Sequence, residues 1–106
     1  MDDAMHRLLS QWLDTVKSRP GHPCGVFAGE DGQPFGPRGR PWDEPDLLID
    51  ATLREDGVEL VLDSYGTTVT STIAPIITVE AGQHPWGPAV RVTFLAQEEL
   101  REIWLV

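Results

Sequence analysis

Apolar positions along the 106-residue chain change period twice, and those changes divide it into three stretches. Met5, Leu8, Leu9, Trp12, Leu13 and Val16 recur at the spacing of one helical stripe, with Arg7, Ser10, Gln11, Asp14 and Lys17 opposite. Asp2 and Asp3 suit a helix start, and Pro20-Gly21 ends it, so the pattern predicts a helix over about 3–18. The Leu/Trp stripe is expected to lie against a sheet, and it would equally serve as a dimer surface. From Leu47 onward the period becomes two. The segments 47–55 and 58–65 alternate and flank Asp56-Gly57, a pair that favours a two-residue hairpin turn.

That turn sets a register of Leu53 opposite Leu60 and Ala51 opposite Leu62. Leu47, Ile49, Ala51, Leu53, Val58, Leu60 and Leu62 then face the core. Arg54 falls opposite Glu59, and Asp50 opposite Asp63 with side chains roughly 5 Å apart. Two carboxylates so placed can share a proton or hold a cation, although no third ligand accompanies them. The bland alternative is a solvated face with Arg54 nearby.

Further strands are expected over 67–74, over 76–81 after a break at Pro75, and over 89–95 with Val90, Val92 and Phe94 facing in. A loop is expected over 82–88. The end reads two ways: Ala96, Leu100, Ile103 and Trp104 fit helical spacing, while Ile103–Val106 reads as extended. A helical turn around Gln97–Arg101 followed by extended chain is the reading taken. The fold class is therefore α+β: one N-terminal amphipathic helix packed on a mostly antiparallel meander of four or five strands, in a single domain over 1–106.

Between them, residues 20–45 hold six of the nine prolines and six of the ten glycines, which rules out long regular elements. Val26, Phe27, Phe35 and Trp42 are spaced along it as if to pin a loop onto the core, and residues 24–28 could add a short edge strand.

Charge narrows function more than fold. The formal charge is −9, and from Leu47 onward nine acidic residues stand against three basic ones. Such a surface repels nucleic acid and anionic membrane and attracts basic partners. Cys24 is the single cysteine, the start of the chain lacks a basic and apolar leader, and no apolar run reaches membrane-spanning length. A reducing cytoplasm is the compartment these features predict.

Candidate chemistry is sparse. Pro37-Arg38-Gly39-Arg40-Pro41 resembles the core of an AT-hook, and the resemblance implies binding along the minor groove of A·T-rich DNA. The match spans five residues and is followed at once by Trp42-Asp43-Glu44-Pro45-Asp46, acids that offer Arg38 and Arg40 local partners instead. His22 and Cys24, with His6 and His84 elsewhere, give neither paired zinc spacing nor an assembled nucleophile, and no metal or cofactor is implied. No phosphate-binding loop, dinucleotide fingerprint or hydrolase elbow is present.

What remains is surface: Phe35, Arg38, Arg40, Trp42, His84 and Trp86, joined by Asp50 and Asp63, form the candidate binding set. The leading expectation is a non-enzymatic inhibitor, immunity-type or regulatory module docking on a basic protein. The alternative is a small-molecule binder or small enzyme using the 20–45 loop and the Trp86 loop; A·T-rich DNA binding comes third.

Overall fold

The computed structural model describes residues 1–21, 23–29 and 45–106. One helix, α1 (Asp3–Lys17), precedes seven strands: β1 (Gly25–Gly29), β2 (Asp46–Leu53), β3 (Val58–Ser64), β4 (Thr67–Ile73), β5 (Ile76–His84), β6 (Gly87–Ala96) and β7 (Glu99–Leu105). The α+β class holds, but the described sheet has seven strands rather than four or five.

α1 forms where its stripe predicts. The Asp2 carboxylate accepts the Met5 N–H at 2.8 Å, and the Ser18 N–H closes the last turn on the Asp14 carbonyl at 3.2 Å. Leu9, Leu13 and Val16 are buried against one face of the sheet with Leu60, Val92 and Leu105. The Trp12 indole N–H donates to the Leu105 carbonyl at 2.9 Å. Met5, Leu8 and Trp12 pack partly buried against the same core, so the stripe lies against the sheet as its spacing predicts.

Every ladder is antiparallel, in the order β4-β3-β2-β1-β7-β6-β5. The short segment expected at an edge is the central strand: Val26–Gly29 pairs with Leu105–Glu102 on one side, and Gly25 and Val26 with Leu47 and Asp46 on the other. Two three-stranded meanders, β2–β4 and β5–β7, therefore flank β1.

The two outermost strands, β4 and β5, follow each other in sequence with only Ala74-Pro75 between them. Laid flat, seven strands span about 29 Å from edge to edge. Crossing from Ile73 to Ile76 covers at most roughly 11 Å. The sheet must therefore curl until its edges meet at this corner, and α1 fills the concave side. The corner is tied on both flanks. The Ile76 N–H donates to the Asp56 carbonyl at 2.8 Å, and the Leu95 N–H to the Pro75 carbonyl at 3.0 Å.

The β2–β3 register differs from expectation. Leu53 pairs with Val58, Ala51 with Leu60, Asp50 with Val61 and Leu47 with Asp63, with a bulge at Ile49. The connection is four residues long, and the Arg54 N–H closes it on the Gly57 carbonyl at 2.8 Å. Asp56 and Gly57 do not adopt the positive φ of the expected turn. The reason lies outside the hairpin: a Cβ on Gly57 would collide with the Ile73 carbonyl oxygen and sit 2.6 Å from the Ala74 Cβ. Gly57 is there for close approach to the corner, not for turn geometry.

The slip is by two residues, so Ala51, Leu53, Val58, Leu60 and Leu62 keep the predicted face. The bulge then turns Leu48 toward the core and leaves Ile49 more than half exposed.

The expected 82–88 loop is mostly strand, closed by Pro85-Trp86 at the tip of the β5–β6 hairpin. The expected helical turn near Gln97 is a β6–β7 hairpin, with Gln97 and Glu98 at φ +53° and +65°. No helix among the described residues is long and apolar enough to cross a membrane.

Candidate functional site: an aromatic and ionic layer on the outer face

Strand alternation sends one set of side chains from β1 and β5–β7 toward α1 and the other outward. The outward set is the unusual one. Phe27 on β1 is opposite Trp104 on β7, and Trp104 is opposite Arg91 on β6, which is opposite Glu80 on β5. Four strands thus contribute one side chain each to a row across the face. Gly82 makes room for it, since a Cβ there would lie 3.1 Å from the Trp104 ring.

Phe27, Trp104 and His84 are almost fully buried, and their rings contact in series. Phe27 lies 4.3 Å from His84 and 5.1 Å edge-on from Trp86, and His84 lies 6.1 Å from Trp104. The Trp86 backbone N–H donates to His84 Nδ1 at 3.1 Å, so a neutral imidazole carries its proton on Nε2. That bond fixes the Trp86 backbone and Phe27 supports its ring, yet 57% of the residue is exposed.

The ionic end of the row is Arg91. Its guanidinium stands 5.9 Å from the Trp104 ring centroid, bonds the Glu80 carboxylate, and lies 3.8 Å from that of Glu102. Glu102 is buried, and its Oε1, like Trp104 Nε1, has no hydrogen-bond partner among the described residues.

Of the residues expected from sequence, His84 and Trp86 meet here. Phe35, Arg38, Arg40 and Trp42, together with His22, lie outside the described residues. Asp50 and Asp63 do not form a pair, because the bulge and the slipped register separate them. Asp50 instead bonds Lys17 Nζ at 3.0 Å, and Asp63 accepts the Gly66 N–H at 2.9 Å to close the β3–β4 turn. The Lys17 bond and the Ala51 N–H hold the Asp50 carboxyl below its ordinary range. The expected Arg54–Glu59 contact forms at 2.9 Å, although the strand position opposite Glu59 belongs to Thr52. Phe27 was expected only to pin the 20–45 loop and Trp104 only within the ambiguous C-terminal pattern, while Arg91 and Glu102 were not singled out in the sequence. Arg91 between Val90 and Val92 was the readable signal, a charge at an outward position of an otherwise apolar strand.

Away from this layer, an open cleft of about 580 Å³ lies between the end of α1, the segment after it and β2. Lys17, Arg19, Cys24 and Asp50 line it. Burial pushes the Cys24 thiol up to about 11, with nearby Arg19 only partly opposing, so it is a poor nucleophile at neutral pH. Among the described residues, no three His, Cys, Asp or Glu side chains are grouped to hold a metal.

The outer layer thus offers a fixed, exposed indole on a buried aromatic base, with no nucleophile beside an acid–base partner. No known family model matches this chain, and neither does any characterised protein or solved structure.

Proposed function

We propose that the chain is a non-enzymatic protein-binding module that docks on a basic partner, with Trp86 as its aromatic anchor. The observation that carries this reading is the seating of Trp86: it is 57% exposed, yet its ring rests edge-on against buried Phe27 and its backbone N–H is bonded to His84. A large side chain already ordered before binding loses little entropy on contact, and tryptophan is enriched among residues that dominate interface energies. Charge supports the same reading, since every described acidic residue except Glu102 reaches solvent on a molecule of formal charge −9. Such a surface speeds encounter with a basic protein and fixes its orientation.

The test is affinity capture from a cell lysate on immobilised wild type and on Trp86→Ala, over rising salt. Wild type retains a basic protein at low salt and releases it as salt rises, while Trp86→Ala retains none and melts within a few degrees of wild type. Equal retention by both proteins, or retention indifferent to salt, overturns the reading.

A second reading, small-molecule binding, is favoured by the cleft that gathers Lys17, Arg19 and Asp50 beside Gly21 and Cys24. Amide chemical-shift changes confined to that cleft on adding a panel of small carboxylates and amines would favour it over the first.

A further inference from the structure

The two free edges of the sheet are treated differently. Among the described residues β5 pairs only with β6, but α1 packs closest to it, a bulge interrupts its ladder near Ile77, and Glu80 places a charge along it. Each of these blunts an edge against further pairing. Among the described residues, β4 pairs only with β3 and has none of these protections. Its ladder runs without a bulge from Val58↔Ile73 to Ser64↔Thr67, and Thr67–Thr70 are exposed. It holds no proline and no charge. The run 64–79, which contains β4, is the longest uncharged stretch of a chain with 25 charged residues. Its composition, Thr-Thr-Val-Thr-Ser-Thr-Ile, is that of a strong strand former.

We propose that β4 is a docking edge for a second copy of this chain, pairing antiparallel with its own counterpart across a two-fold axis. Charge selects that occupant. Two molecules of formal charge −9 repel wherever their acids face each other, and an uncharged edge is where they can approach closely. A basic partner would instead be served by an acidic edge. A two-fold contact needs a self-complementary surface, and an antiparallel strand edge is one, since each outward N–H of one copy can donate to an outward C=O of the other. The contact is independent of Trp86, so it stands or falls apart from the proposed anchor.

Salt separates the two interactions by sign. Screening weakens docking on a basic protein and strengthens association of two acidic copies. Sedimentation of the full chain over a concentration series, at low and at high salt, reads this directly. The expected result is a monomer–dimer equilibrium reaching twice the chain mass, tightening at least several-fold as salt rises. Thr70→Lys, which sets an ammonium near the middle of each edge, is expected to weaken it at least tenfold with an unchanged circular dichroism spectrum. Leu100→Lys, on an exposed residue of the β6–β7 hairpin, leaves it unchanged. A chain that remains monomeric at millimolar concentration in high salt overturns the proposal. So does a dimer that Thr70→Lys leaves intact, or one that weakens as salt is added.

Discussion

The two meanders beside β1 show solvent opposite outer faces. On β2–β4 that face carries Thr52, Glu59, Val61, Asp63, Thr68, Thr70 and Thr72, all exposed or half-buried. On β5–β7, with β1, it carries His84, Ala89, Glu102, Trp104 and Phe27, all buried, flanked by half-buried Arg91 and Thr93 and exposed Glu80. The inner faces of both halves are alike, apolar and turned to α1. Backbone pairing is therefore the same on the two sides, and only the outward residue at each alternate position differs. The lesson is that one curled sheet can carry a solvated half and an aromatic half, with recognition residues supported by the second.

The sharpest way to break this comparison is to delete an outward side chain on each side. Trp104→Ala is expected to cost about 3–5 kcal/mol, the usual loss for a buried tryptophan. Thr72→Ala, on an exposed outward position, should stay within about 0.5 kcal/mol. Urea midpoints of the two variants check this, and equal shifts would erase the contrast.

Next in size is the corner where the halves meet. Gly57→Ala puts a methyl group against the Ile73 carbonyl and the Ala74 side chain. The expected cost is about 1–3 kcal/mol, as for overpacking elsewhere, and the urea midpoint again reports it.

The smallest effects are in pH. The folded Cys24 thiol titrates at about 11, above its ordinary 9.0, so folding retains its proton. Stability from this group is fully present below pH 9 and is lost as pH rises toward 11, which Cys24→Ser should abolish in alkaline melts. Asp50 moves the other way. Its folded carboxyl titrates below the ordinary range, so its contribution is present above that range and is lost as pH falls through it. Being fully exposed and screened, Asp50 should give the weaker of the two signals.

How much of this was legible follows from range. The helix was, because its spacing, cap and stop are all local. The inward face of β6 was, because Val90, Val92 and Phe94 alternate. The β2–β3 register was not, since Gly57 answers to Ile73 and Ala74 across the corner rather than to its own turn. The Asp50–Asp63 pairing failed with it. β7 was obscured because Gln97 and Glu98 are unusual residues for a turn that requires two positive φ angles. Of the site, His84 and Trp86 were visible as polar and aromatic residues among prolines and glycines. Their support was not, because Phe27 and Trp104 are far apart in sequence and meet only through the β1–β7 ladder.

The Ala74-Pro75 link acts as a strap. Every hydrogen-bond ladder in the sheet could persist if it were lengthened, because none of them crosses it. A chain given several flexible residues there would keep all its strand partners while losing the requirement that the end of β4 and the start of β5 meet at the corner. Such a variant separates curvature imposed by a short tether from curvature chosen by side chains, two causes that the natural chain always applies together.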